Sequence, residues 1–279
     1  MDLKQNPFSL YDFLGYFVPG ALTLFAAFGA SQAWLPRNIS QSVSDVFQPG
    51  KLEFYLPFVL VSYLIGHALS FISSVTIERY SVWRVGYPSR YLLGNAFPAF
   101  FDVAHPKGTR RAVRVAVALF IFPILILDLT LGVAFKLNDL FARPLENVLL
   151  DTIATRIGRL VSECTGGEPK PEDIKSGAAQ FFLLMYHYSV ERPSSHLPKM
   201  QNYVALYGFC RTIALIFVLV FWTFLAAIPL RIAPWSVSLP IAAVSGGLAY
   251  LFFLDFLKFY RRFSLEVFMA FAAVHRPRQ

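Results

Sequence analysis

Two cysteines in 279 residues, Cys164 and Cys210, are too few for a disulfide framework, and no histidine pair stands beside either at zinc-ligand spacing. Both are expected as free thiols. Charge is scarce too: 15% of the residues are charged against 56% hydrophobic, an imbalance that excludes an ordinary soluble domain. Catalytic signatures are missing. There is no HExxH, no GxSxG and no Walker lysine loop, and His67, His105, His187, His196 and His275 are scattered. The close acid–base couple outside the apolar runs, Asp102 and His105 in FFDVAHP, sits in a proline-containing turn and is weak ground for general acid–base work. The chain is therefore expected to be no enzyme and to need neither cofactor nor metal. It also has no internal repeat and no low-complexity tract.

What the chain does have is long apolar runs. Four of them, Phe13–Pro36, Phe54–Ile77, Thr212–Leu230 and Ile232–Leu254, carry no formal charge and suffice for the roughly 20 helical residues a bilayer crossing takes. The start, MDLKQNPFSLYDFLGYFVPG, is mixed in charge and leads straight into the first run, which reads as a retained span and not as a cleaved signal. Pro19-Gly20 predicts a kink or break there, because proline removes a backbone donor and glycine adds freedom. A fifth stretch, Val115–Phe135, contains Pro123 and Asp128, and burying that carboxylate in lipid would cost about 2.5–3.5 kcal/mol. The fold class is thus all-α: a polytopic helical membrane protein with four firm spans plus one re-entrant or fifth helix, and a helical cytosolic insert.

The formal charge of +8 reads first as topology. Glu78–Arg114 carries seven basic residues (Arg79, Arg84, Arg90, Lys107, Arg110, Arg111, Arg114), whereas Arg37–Glu53 has only Arg37 and Lys51. The former is expected in the cytoplasm, with the N-terminus. The tail, with Lys258, Arg261, Arg262, Arg276 and Arg278, is expected there as well, and Arg231 falls at the outer turn of the last hairpin. With both flanks inside, Val115–Phe135 must enter and return, bent at Pro123; a five-span chain is the competing arrangement. Four regions follow: an N-terminal hairpin (1–77), a mainly cytosolic helical region (78–211) with a membrane-associated stretch (113–135), a C-terminal hairpin (212–254) and an amphipathic cytosolic tail (255–279).

Within the insert, Leu145, Val148, Leu149, Ile153, Ile157 and Leu160 recur at three- and four-residue spacing, which predicts a helix over Phe141–Cys164 stopped by Gly166-Gly167. Residues 168–173, EPKPED, read as a loop before a second helix through Ala178–Tyr188; Arg192–Pro198 reads as another loop, and a helix starts near Lys199. The tail Asp255–Val274 continues the last helix, able to lie on the membrane, to meet a neighbouring subunit or to enter a folded layer. Small residues Gly66, Ser70 and Ser74, and Ala242 and Gly246 ahead of Tyr250, form ridges that allow close helix approach, within the chain or between copies.

Two kinds of candidate site follow. Ionisable groups in a bilayer face a partner or water, so His67 and Asp128 are candidates for a pore-lining or gating role, with interhelical or interfacial bonding as the alternative. The basic residues Arg84, Arg90, Lys107, Arg110, Arg111 and Arg114 could hold an anion, since PKGTRRAVR joins a turn to a helix start with three arginines, and Trp83, Tyr87 and Tyr91 stand near to stack on bases. Contact with anionic lipid headgroups explains the same charges.

The stretches NPFSLYDFLGYFVPGALTLF, YLIGHALSF and QNYVALYGFCRTIALIFVLVFW resemble small bacterial membrane proteins that accompany antiviral defence genes, most of all the effectors that work beside a nucleotidyltransferase, such as the ion-channel partner of the Hailong system. The resemblance implies a homo-oligomeric inner-membrane pore, controlled at its cytosolic face by a nucleotide or short DNA signal that the partner nucleotidyltransferase makes. It assigns no ligand-binding residue. A non-conducting membrane sensor or scaffold that recruits a cytosolic defence partner would show the same composition, while a transporter is disfavoured because no pair of broken helices recurs in two halves.

Overall fold

The computed structural model describes residues 12–34, 41, 52–94, 109–137, 141–166, 179–191 and 196–274, which hold helices and turns and no strand. Four helical stretches among them, Phe13–Ser31, Tyr55–Tyr91, Leu197–Ala227 and Trp235–Ala273, are long and apolar enough to cross a membrane. The expected helical membrane fold is what the chain adopts.

The first span is a π-helical turn, Phe13–Phe17, running into α1, Val18–Trp34. Pro19 has no N–H to offer the Gly15 carbonyl. The ladder widens just before it, with the Val18 N–H reaching the Phe13 carbonyl, so the disruption expected at Pro19-Gly20 takes the form of a π turn one step earlier. Gly20 serves a different purpose. A Cβ there would overlap the Ser62 carbonyl, and one on Gly66 would overlap the Tyr16 carbonyl. Ser62 and Gly66 belong to α2, Leu52–Ser73, so the small residues of this ridge bring two backbones of one chain together.

After α2 comes a second π turn, Ser74–Glu78, and then α3, Arg79–Arg84, without a break. The helix thus continues past Ile77, the end of the apolar run, into the charged residues Glu78, Arg79 and Arg84. It stops at Gly86, whose φ is 86°, and Pro88 opens the short α4, Pro88–Tyr91.

The fifth apolar stretch is broken. α5, Thr109–Phe120, and α6, Phe122–Leu127, meet at Ile121, and the helical axes on either side are bent by 87°. Pro123 lacks the N–H that the Leu119 carbonyl would need to continue the helix, as the sequence predicted. A third π turn, Asp128–Gly132, completes the second leg of this arm.

α7, Asn147–Thr165, ends where expected, on Gly166 at φ 70° with its N–H bonded to the Ser162 carbonyl. Its stripe is Ile153, Ile157 and Leu160, with Leu145 just ahead of the helix; Val148 is the exception, 80% exposed, because at about 100° per residue it lies about 145° from their mean direction. α8 is Ala179–Glu191, and the EPKPED loop lies outside the described residues.

α9, Leu197–Ala227, and α10, Trp235–Val274, form a hairpin whose turn places Arg231 at φ 54°. At about 1.5 Å per residue α10 is roughly 60 Å long, twice the hydrocarbon thickness. Its two halves therefore join two cores. One half packs Ala249, Tyr250, Phe253 and Phe256 against α9, Ile77, Tyr80 and Ile124. The other packs Val267, Phe268 and Phe271 against α7, α8, Leu92 and Met200. Of the environments open to the tail, the folded layer is the one it occupies.

Candidate functional site

The arm is bent at Ile121, a geometry shared by broken spans and re-entrant loops. At the bend, the Trp222 indole Nε1 donates to the Phe120 carbonyl at 2.7 Å, and Pro123 lies against the face of α10 at Gly246. Trp222 is about 8 Å along α9 from its end at Ala227, near the hairpin turn. The leg bases are elsewhere. Arg114 of the first leg sits over Trp83 of α3, its guanidinium carbon 5.3 Å from the ring centroid. The second leg leads to Leu145, whose N–H bonds the Leu92 carbonyl at 3.0 Å, and to Arg143, whose carbonyl accepts from Arg261. Those contacts lie at the open end of the hairpin, where the second core begins.

The second leg is held by a buried carboxylate. Asp128 is 0% exposed; its Oδ2 accepts from the Tyr80 hydroxyl at 2.7 Å and from Arg84 Nε at 3.2 Å. Tyr80 and Arg84 are four residues apart on α3 and so share a face. Across the arm, Gly132 leaves room for two groups: a Cβ there would lie 2.7 Å from Asp128 Oδ1 and 2.9 Å from the Tyr250 hydroxyl. That hydroxyl is buried and has no hydrogen-bond partner. Asp128 thus sits between a satisfied pair of donors on α3 and an unused donor on α10.

A second polar group lies on the other side of the same helix. Arg211 of α9 is buried and donates through Nη1 to Glu78, through Nε to the Ser73 hydroxyl at 3.1 Å and through Nη2 to the Ser70 carbonyl at 3.3 Å. Thr212 approaches Ser73 at 3.4 Å. The π turn Ser74–Glu78 separates the residues that face α9 from those that face the arm, since the extra residue in its turn shifts the phase of the helix. Charged groups in such a layer are tolerable because each meets an opposite charge and further hydrogen bonds.

The residues expected to act at a pore are thereby separated. Asp128 is within this layer, while His67 lies on the exposed side of α2, its ring stacked on Tyr16 at 3.8 Å and edge-on to Tyr63 at 4.6 Å. The basic set is divided as well. Arg84 is spent on Asp128, Arg90 lies 5.9 Å from the Tyr87 ring, Arg114 lies over Trp83, and Arg111 is exposed. Arg110 belongs to the first turn of α5, and Lys107, Asp102 and His105 lie outside the described residues. Sequence reasoning missed Glu78, Tyr80, Arg211 and Tyr250. The available signal was that Glu78 and Arg211 each border an apolar run; nothing in one dimension says that two such borders meet.

No family model, curated protein or solved structure matches the chain.

Proposed function

We propose that this protein is a gated membrane pore built from several copies of the chain, in which the arm formed by residues 109–137 is the moving part. The observation that carries the reading is the 87° bend at Ile121 combined with the buried carboxylate of Asp128, which ties the second leg to α3. Helical backbone broken at membrane depth is stable only where protein covers it or where it borders a water-filled path. The outer face of this arm, with Phe122, Ile126, Leu131 and Phe135, is exposed on a single chain. Neighbouring copies would cover part of it.

In the setting that the resemblance implies, the pore serves bacterial antiphage defence in the inner membrane, with both termini in the cytoplasm as the distribution of lysine and arginine favours. A nucleotide or short DNA signal from a partner nucleotidyltransferase would reach the basic residues around the feet of the arm. Its influence is limited to its difference in affinity for the two arm positions.

The test is ionic current from purified protein in a planar bilayer, with and without short oligonucleotides or cyclic nucleotides on the side of the arm's feet. Signal-dependent current, altered in Asp128→Asn, is the expected result. Silence from intact oligomers under every condition would overturn conduction and favour a membrane-anchored scaffold, for which the separately cored helical layer around α7 and α8 would be the recruiting part.

A further inference from the structure

α5 leaves apolar residues exposed, Val115 and Leu119 on one side and Val113 on another. Val113, Val115 and Leu119 are 51%, 52% and 62% exposed, whereas Arg114, Val117 and Phe120 are turned toward the protein and partly covered. Arg111 is exposed and lies about 40° around the helix from Val115, while Arg114, three residues on, is partly covered. Arg114 reaches Trp83, the residue next to Arg84. Arg84 has its carboxylate, Asp128. Neither Arg111 nor Arg114 has an acidic partner among the described residues. An exposed and a partly covered cation therefore stand beside the exposed apolar residues Val115 and Leu119.

We propose that Arg111 and Arg114, the latter over the Trp83 ring, form a binding site for a phosphate-ester anion at the foot of the arm. Guanidinium groups pair with phosphate oxygens through two parallel N–H bonds, and a phosphate supplies the negative charge that this place lacks. The indole belongs to the class of side chain that settles at headgroup level. A phospholipid would fit both halves of the surface, its phosphate on the arginines and its chains along Val115, Leu119 and Phe122; a nucleotide would use the arginines alone. The assignment concerns the foot of the arm and does not depend on conduction.

The test is native mass spectrometry of the detergent-solubilised protein after exposure to phosphatidylglycerol, alongside equilibrium binding of a dinucleotide to the protein in nanodiscs of phosphatidylcholine only. Retained phosphatidylglycerol, reduced roughly 30-fold in affinity in Arg111→Gln/Arg114→Gln and unchanged in Arg231→Gln, identifies a lipid phosphate as the occupant. Dinucleotide binding in phosphatidylcholine, lost in the same double variant, identifies a soluble phosphate. If the double variant does not purify as a folded protein, Arg111→Lys/Arg114→Lys replaces it, and weaker but measurable binding is expected because charge remains while the fork is lost. Equal retention of lipid and equal binding of dinucleotide by wild type and variants would overturn the proposal. None of these readouts requires current, so a silent bilayer recording leaves them standing.

Discussion

Arg84 and Asp128 meet at 3.2 Å across the junction of α3 and the bent arm, with the carboxylate fully buried and the guanidinium 27% exposed. Removing one partner leaves a charge in a place built for two, whereas removing both leaves a less polar but balanced site. In a double-mutant cycle with Arg84→Leu and Asp128→Leu, the double change is expected to destabilise by less than the sum of the two single changes, with a coupling of about 0.5–3 kcal/mol. Thermal or chemical unfolding in detergent measures it; zero coupling would mean the contact does not form.

The two tyrosines beside Asp128 are expected to behave oppositely. Tyr80 donates to the carboxylate, so Tyr80→Phe removes a bond to a charged group and should cost about 1.5–3 kcal/mol. The Tyr250 hydroxyl has no partner, so Tyr250→Phe removes only a buried polar group and should be neutral or stabilising. Equal losses from both, in the same unfolding assay, would show that Asp128 engages both rings.

Helix approach in the N-terminal hairpin rests on Gly20 and Gly66. Gly66→Leu should prevent the packing of α2 on the first span, because the added atoms meet the Tyr16 backbone, which has no rotamer by which to yield. A loss of more than about 3 kcal/mol, or of monodisperse protein on size exclusion, is expected. Gly208→Ala, where a Cβ meets nothing within 4 Å, is the matched control and should purify normally.

Membrane sidedness can be read with single cysteines. In a chain with Cys164 replaced by Ser, buried Cys210 should be silent to a membrane-impermeant maleimide in intact cells. Arg231→Cys, at the exposed hairpin turn, should label from outside, while Val148→Cys should label only after the membrane is opened. Labelling of Val148→Cys in intact cells would invert the orientation that the basic residues favour.

Much of the architecture was legible in one dimension. Apolar runs long enough for a bilayer can be satisfied only by helices, Pro123 cannot continue a ladder, and Gly166 can take a left-handed turn that ends one. The continuation of the last span through Val274 followed from an unbroken periodic pattern. Such features depend on neighbours a few residues away, so the sequence by itself determined them.

The pairing of charges did not. Arg84 looked like one of several free cations, and Glu78 and Arg211 like the ordinary borders of spans. Only the tertiary structure decided that Arg84 neutralises Asp128 and that Arg211 neutralises Glu78. Periodicity fixes which residues share a face of a helix, but the energy of a buried charge depends on what another helix brings to within a few ångströms, and that is settled by how the faces pack.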